Sequence, residues 1–431
     1  MAFNERGMNA SQVTPKGAVE FLIRFYRQGV DPNNNRYNLW VLCQGVKLFC
    51  AKLKMQLYTM NLRKMNSRPI GVSSKSALKL FGNSTRSGWG FLMQGLRGIF
   101  FSFSVRTGIA RLNSFFNRDK LIILCFHSIS QKDEHRFWPG VFISKEKVTQ
   151  LLDYLQSSHF NVISLQDAER YLNGEAQFKY PVVITFDDGW RSSVTDLLPM
   201  FLAHSFPVTI YVTTYYCDHE IPVVNVLVQY WLWLKPTGGF DVAFDGTTHR
   251  FSGDRSSIVK TIELFLKGLV DEQKNEFLLA LADSLGVSDE AIKSKRFHNA
   301  TYEELAKAML SPLVDIQLHT HTHQLPTDNK SIKKEIQTNR DRMLETLSPS
   351  NPLVHFCYPS GIWSPEHLPE LESIGIKTAT TLDEGINAKT EHPLKLKRNL
   401  VMDNRTLDHF VVTISGVLDA LRRLTGKAST R

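Results

Sequence analysis

The sequence predicts an α/β fold with a largely parallel sheet or barrel, beginning near residue 120. From that point short apolar runs alternate with amphipathic stretches, as in KLIILCFHSI followed by SKEKVTQLLDYLQSSHF. This alternation is typical of βα units. Two of the apolar runs also end in polar clusters, FDDGW and HTHTH. Functional groups collect at the carboxyl ends of strands in such sheets, so the clusters support the same prediction.

The predicted strands and helices follow one another in order along the chain. Strands are predicted at IILCF, NVISL, PVVITF and PVTIYVTT, and later at VDIQL, VHFC and IKTATTL, because each run is short, apolar and rich in β-formers. Stretches with helical periodicity, such as SSVTDLLPMFLAHSF and SIKKEIQTNRDRMLETL, lie between them. The alternation breaks between about 216 and 298. There a hairpin candidate turning at Asp245-Gly246 and a helical pair predict a mainly helical insertion.

The charge of the chain is unevenly distributed. Residues 1–115 carry 17 Lys and Arg against 3 Asp and Glu, whereas the whole chain has 51 against 42. We therefore predict a basic, mainly helical N-terminal extension over 1–115, an α/β domain over 116–420 and a basic tail over 421–431. The five cysteines are scattered and form no C-x-x-C pattern, which favours a reducing compartment over a disulfide framework.

The basic extension suggests a membrane surface as a partner. It shows no secretory signal and no uninterrupted apolar run of about 18 residues. Its most apolar stretch, WGFLMQGLRGIFFSFSV, contains Arg97 and predicts a buried or interfacial helix. An anionic bilayer would attract such a segment, which predicts a cytoplasmic protein, peripheral at the inner membrane. The alternative is an ordinary helical subdomain packed on the barrel. Nucleic acid is not expected, because no groove-reading motif is present.

The two polar clusters carry candidate site residues. Asp187 and Asp188 directly follow the apolar run VVITF. The alternative without a functional site is that Asp188-Gly189 simply forms a turn. His319, His321 and His323 end the run DIQL, where surface histidines are the bland alternative. Two imidazoles and one carboxylate make a common catalytic metal site with a position left open for water. The two clusters together favour such a site.

Three motifs together resemble those of the polysaccharide deacetylase family, the NodB-homology domains of carbohydrate esterases. They are TFDDG at Thr185–Gly189, within TFDDGW, HTHTH at His319–His323 and FCYPSGIW around Tyr358–Gly361, in the family's order. The resemblance covers residues 120–420 apart from the insertion, which explains the wide spacing between the first two motifs. It implies a distorted (β/α) barrel of the NodB type with the site at the strand carboxyl ends.

The resemblance also implies roles for individual residues. Asp187 would be the general base, and Asp188, His319 and His323 would bind a divalent metal, with zinc the expected ion. His321 falls on a variable position of the motif and takes no role.

The substrate side of the site is also implied. The backbone N–H of Tyr358 would face the oxyanion. The substrate-binding set would consist of Tyr358, Pro359, Trp363 and Arg398, the last from KRNLV.

The chain departs from the family pattern at two points. A Leu-x-x-His motif near the C-terminus, whose His acts as the acid in many members, is missing from HPLKLKRNLV. We consider His127 as the replacement acid, beside the alternative that it only bonds to neighbouring loops. The usual Arg before the Tyr-Pro turn is also absent, since Phe356 and Cys357 stand there. The partner that tunes the base is therefore not identified by the motif.

The predicted activity is metal-dependent removal of N-acetyl, or else O-acetyl, groups from a polysaccharide or its lipid-linked precursor. The competing hypothesis is a carbohydrate-binding pseudoenzyme of the same fold, which the missing acid favours and the intact metal-binding set opposes.

Overall fold

The computed structural model describes residue 95 and residues 97–425. The chain divides into two units, Met1–Gln94 and Gly95–Arg431, and the described residues all belong to the second. Most of the predicted extension and the last part of the predicted basic tail therefore lie outside the described residues. Among the described residues, no helix is both long and apolar enough to cross a membrane.

The described strands form one large parallel sheet and two small ribbons. The strands are β1 Ile122–Phe126, β2 Ser128–Ile129, β3 Phe142–Ile143, β4 Asn161–Val162, β5 Pro181–Phe186, β6 Val208–Val212, β7 Gly239–Phe244, β8 Thr247–Ser252, β9 Val314–Leu318, β10 His355–Cys357, β11 Thr378–Thr380 and β12 Asn399–Leu400. The large sheet runs β11-β10-β9-β6-β5-β1-β12, with β4 beside β5. Every pairing within it is parallel.

The sheet curls until its two ends meet. Residues Asn399 and Leu400 pair in parallel with β1, while Leu396, just before them, pairs in parallel with Thr380 at the end of β11. The segment 396–400 thus joins both edges of the sheet. This closure is the distorted (β/α) barrel that the sequence predicts.

Helices fill the connections between the strands. They are α1 at residues 97–106, α2 Ile109–Phe116, α3 Glu134–Phe137, α4 Lys145–Ser157, α5 Leu165–Leu172, α6 Leu198–Ala203, α7 Tyr215–Asp218, α8 Val224–Leu234, α9 Arg255–Leu266, α10 Asp271–Leu285, α11 Glu290–Lys293, α12 Tyr302–Ala308, α13 Asn329–Thr346, α14 His367–Ser373, α15 Leu407–Ile414 and α16 Val417–Thr425. A π-helical turn spans Ser193–Leu197, and 3₁₀ turns span Pro359–Gly361 and Pro393–Lys395.

Local sequence explains where these helices begin and which side they bury. Helix α12 begins with a capping box, in which Thr301 accepts from the Glu304 N–H and Glu304 reaches back to the Thr301 N–H. Helix α4 buries Val148, Leu151 and Leu155, which share one helical face, against the sheet. The strands β1, β5, β6 and β9 are buried along their whole length, as expected for a sheet covered on both faces.

The stretch between β6 and β9 has its own apolar core. It contains α7 to α11 and the antiparallel hairpin β7–β8, which turns at Asp245-Gly246 as predicted. Trp231 and Phe277 lie fully buried in this core, and Trp190 from the loop after β5 packs into it as well. The insertion is therefore connected directly to the loop that carries Asp187 and Asp188.

Candidate active site

The barrel brings the sequence motifs to one end. Asp187 and Asp188 follow β5, His319 follows β9, Tyr358 follows β10, and His127 follows β1. Because parallel strands present their carboxyl ends on the same side, all of these residues lie around one opening.

Asp188, His319 and His323 converge on a common point. The Nε2 atoms of both histidines lie 3.1 Å from Oδ1 of Asp188, and one donor atom from each residue lies within 4.8 Å of the others. His319 is buried, whereas Asp188 and His323 are partly exposed. One carboxylate and two imidazoles, with solvent access on one side, fit a divalent metal that keeps an open position for water or substrate.

The backbone at this point is held in an unusual conformation. Asp188, Thr320 and His323 have φ angles of 69°, 65° and 58°, in the left-handed region that residues other than glycine rarely adopt. Such residues cost on the order of 1–3 kcal/mol each and persist where the surrounding structure imposes them. Two of the three are in the ligand set, so the strain coincides with the residues that would bind a metal.

The ring of His319 is oriented by the β10 strand. Its Nδ1 donates to the carbonyl oxygen of Cys357 at 2.8 Å, which leaves Nε2 as the atom that faces Asp188. Its backbone N–H donates to Oδ1 of Asn339 at 3.0 Å, and Asn339 is itself buried and bonded to the Val212 carbonyl. Supports of this kind set the tautomer and direction of a metal-binding histidine.

Asp188 is held by one residue of its own loop and by one residue that follows the insertion. Trp190 Nε1 donates to its Oδ2 at 2.9 Å, and Asn299 Nδ2 donates to its backbone carbonyl at 2.6 Å. The Trp190 ring packs against Phe142, 5.4 Å between centroids. Asn299, which follows the insertion, was not identified from the sequence. Of the two residues that bond to Asp188, only Trp190 stands in a motif that the sequence revealed, TFDDGW.

Asp187 forms a buried ion pair with Arg398. The guanidinium donates to Oδ1 at 2.6 Å and to Oδ2 at 2.7 Å. Burial raises the pKa of Asp187, but the charge and hydrogen bonds of Arg398 outweigh it and hold the pKa at about 2. Asp187 is therefore ionised throughout the neutral range.

This position of Arg398 corrects one sequence prediction and fills a gap. We expected Arg398 among the substrate-binding residues, yet it is fully buried and its Nε donates to the Thr381 carbonyl. It supplies the charged partner of the base that the motif before the Tyr-Pro turn lacks. Residue 398 reaches Asp187 because the barrel-closing segment lies beside β1, which the sequence pattern does not reveal.

Two thiols complete the surroundings of Asp187. The Sγ atoms of Cys125 and Cys357 each lie 3.4 Å from its Oδ2. Burial raises the pKa of both thiols well above the usual value, so both stay protonated at neutral pH and can donate to the carboxylate.

His127 lies at the edge of this cluster. Its Nε2 is 4.0 Å from Oδ2 of Asp187, and its side chain is partly accessible to solvent. Its Nδ1 is buried and has no hydrogen-bond partner among the described residues. The bland alternative, a histidine bonded to neighbouring loops, finds no support in these contacts.

The Tyr-Pro turn differs from its expected role. The N–H of Tyr358 donates to the Thr380 carbonyl at 3.1 Å, and its hydroxyl donates to the Leu394 carbonyl at 2.9 Å. Tyr358 and Pro359 are both buried. The predicted donation from Tyr358 to an oxyanion is therefore wrong for this structure, because the sheet already uses that N–H.

The other residues of the turn shape its surface. Gly361 has a φ of 68°, and a Cβ there would lie 2.5 Å from Cβ of Leu382, so only glycine fits. Trp363 follows at the surface, half-buried, with Nε1 donating to Asp383 at 3.0 Å. Of the predicted substrate-binding set, Trp363 is the member whose ring remains accessible.

Comparison with known proteins gives one family match. The family model described as polysaccharide deacetylase matches residues 289–379, which include His319, His323 and the Tyr-Pro turn. The TFDDGW motif lies outside the matched region. A search of curated protein sequences found no match.

Several solved structures are similar at low identity. The Streptococcus pyogenes deacetylase PplD, in complex with acetate, is 15% identical, with 69% of this chain and 99% of that chain covered and a TM-score of 0.46. IcaB from Ammonifex degensii is 18% identical, with 69% and 97% covered and a TM-score of 0.45. The BpsB deacetylase domain from Bordetella bronchiseptica is 14% identical, with 65% and 96% covered and a TM-score of 0.41.

Proposed function

We propose that this chain removes N-acetyl groups from a polysaccharide or its precursor with the help of a divalent metal, as a member of the polysaccharide deacetylase family, whose model matches residues 289–379. The observation that carries this proposal is the convergence of Asp188, His319 and His323 beside the buried Asp187–Arg398 pair. An open metal-binding set next to an ionised carboxylate is an arrangement that supports metal-assisted hydrolysis of an amide.

The protein residues divide the chemical work. A divalent metal such as zinc, held by Asp188, His319 and His323, would polarise the acetyl carbonyl and promote ionisation of the attacking water. Asp187 takes the proton of that water. Arg398 keeps Asp187 ionised and directed towards the opening. With a pKa of about 2, Asp187 is a weak base. The pKa of the attacking water must therefore be lowered before the proton transfer becomes favourable.

Protonation of the leaving amine falls to His127. His127 directly follows β1 at its carboxyl end, and its Nε2 lies 4.0 Å from Oδ2 of Asp187. Its side chain is partly accessible to solvent, and an imidazole can donate a proton to a leaving nitrogen.

The half-buried Trp363 is the proposed sugar contact. Its ring is fixed by the bond to Asp383, and Lys395 Nζ lies 5.5 Å from the ring centroid. A fixed indole with accessible surface suits the apolar face of a pyranose. The pseudoenzyme alternative is not favoured, because the residues needed for water activation are all present in one cluster.

Acetate release tests the proposed function. We expect the protein to release acetate from at least one member of a panel of chitin oligomers, poly-N-acetylglucosamine and acetylated exopolysaccharides. Activity should disappear with a chelator and return with Zn²⁺. His319→Ala should bind little metal and show no recovery, because one of three ligands is missing. Activity that survives chelation, or stoichiometric metal in His319→Ala, would contradict the metal assignment.

His127→Ala separates the acid from the other roles. An amide needs a proton on its leaving nitrogen, whereas an activated aryl ester does not. We therefore expect a loss of about 10²–10⁴ in kcat/KM on the amide and a much smaller loss on the ester. His321→Ala is the matched control, since His321 bonds to Thr214 rather than to the cluster. Equal losses on both substrates would make His127 a structural residue.

A further inference from the structure

Helix α2 buries small side chains and exposes large apolar ones. The residues that it buries are Ala110 and Ser114, both small. Leu112, Phe115 and Phe116 are instead 43%, 49% and 45% exposed. An amphipathic helix on a globular domain normally places its large apolar residues towards the core. Here the three large side chains remain close to half exposed, and the ring of Phe115 contacts Phe116 and the guanidinium of Arg118.

Polar contacts hold the helix in this orientation. Asn113 and Asn117 both donate to the carbonyl of Ser415, at 2.6 Å and 3.1 Å. Gly416 fits closely against Asn117, where a Cβ would lie 2.7 Å from the amide nitrogen. The polar side of α2 is thus bonded to the end of α15. Rotating the helix to bury its phenylalanines would break these bonds, so the exposed apolar side belongs to the folded state.

The same region is uniformly basic. From residue 95 to residue 118 the chain has four arginines and no acidic residue. Three of them, Arg97, Arg106 and Arg111, are exposed, and Ile99 is 61% exposed. We define the basic–apolar face as the exposed residues of α1 and α2, namely Arg97, Ile99, Arg106, Arg111, Leu112, Phe115 and Phe116.

We propose that the basic–apolar face binds an anionic lipid bilayer. Each arginine near such a surface adds electrostatic attraction, and leucine and phenylalanine add burial in the boundary between headgroups and acyl chains. A soluble polyanion would use the arginines but leave the apolar side chains in water.

Vesicle binding by the full chain tests the proposal. We expect cosedimentation with vesicles of phosphatidylcholine mixed with phosphatidylglycerol, weak binding to phosphatidylcholine alone and release as salt rises. The double variant Arg111→Glu, Phe115→Ser should bind the anionic vesicles roughly tenfold more weakly or worse, since it reverses one charge and removes one inserted ring. Both changes are at exposed positions, so the fold and the rate on a small soluble substrate should not change.

The matched control lies on another surface. Lys307 is exposed on α12 and Leu310, just after it, is 83% exposed. Lys307→Glu, Leu310→Ser makes the same kind of change and should bind vesicles like the wild type. Three results would overturn the proposal: equal binding by the Arg111→Glu, Phe115→Ser variant, equal losses in both variants, or no binding by the wild type. A dimer that only the Arg111→Glu, Phe115→Ser variant loses, without vesicle binding, would assign the face to a second copy instead.

Discussion

Asp187→Asn should lower kcat by a factor of about 10²–10⁴ while the protein still binds metal. Asn has nearly the same shape as Asp but cannot accept the proton of water. Asp187 is also outside the set formed by Asp188, His319 and His323, so metal affinity should change little. Metal content after dialysis and acetate release with saturating metal measure the two effects separately.

The neighbouring carboxylate provides the comparison. Asp188→Asn should lose metal affinity as well as activity, since Asp188 Oδ1 is the atom that both histidines approach. Asp187→Asn also leaves the buried Arg398 without a countercharge, so its thermal unfolding must be measured alongside. The double variant Asp187→Asn, Arg398→Met restores stability without restoring a base. Normal metal binding in both single variants would refute the division of roles.

Arg398→Met should be the most destabilising of these changes. It leaves the Asp187 carboxylate buried without its cation, which typically costs 3–5 kcal/mol in the free energy of unfolding. Arg250→Met, which removes an exposed pair with Asp241, should cost about 0–1 kcal/mol in the same denaturant titration. Arg398→Lys keeps the charge and should fall between the two. A cost for Arg398→Met no larger than that of Arg250→Met would contradict the importance of the buried pair.

The same variant should change the dependence on pH. In the wild type the pKa of Asp187 lies at about 2, below its ordinary 3.8, so the pair stabilises the protein fully above pH 3.8 and loses this contribution as pH falls towards 2. Without Arg398 the strongest influence that lowers the pKa of Asp187 is lost while burial still raises it, so we expect this pKa to increase. The acid limb of kcat/KM should therefore move to higher pH. The stability difference from the wild type should also be smaller in acid than at neutral pH.

The sequence predicted which residues would lie together better than it predicted their contacts. Asp187, Asp188, His319 and His323 stand in short motifs at strand ends, and parallel strands bring such ends together whatever the loops between them do. The same logic placed His127 beside them. The hairpin at Asp245-Gly246 was predictable because the turn dipeptide is local.

The contacts that were missed depend on long-range geometry. Arg398 was predicted to bind substrate rather than to pair with Asp187, which is 211 positions away in the chain. The sequence does not show that the closure of the barrel brings the two residues together. The N–H of Tyr358 looked available because the sequence does not show that β11 extends the ladder to Thr380. Asn299 has no motif of its own. The inverted helix α2 was also missed, since periodicity reveals an apolar side but not which side faces the core.

The segment 396–400 links catalysis to the order in which the domain folds. It pairs Asn399 with Leu124, from the opposite end of the domain, and such distant pairings are slow because loop closure opposes them. Arg398 lies in this segment. During synthesis β1 and β5 leave the ribosome before the segment 396–400 does. Asp187 can therefore pair with Arg398 only after this last segment has been made. The strand that closes the barrel therefore also brings the cation that pairs with Asp187.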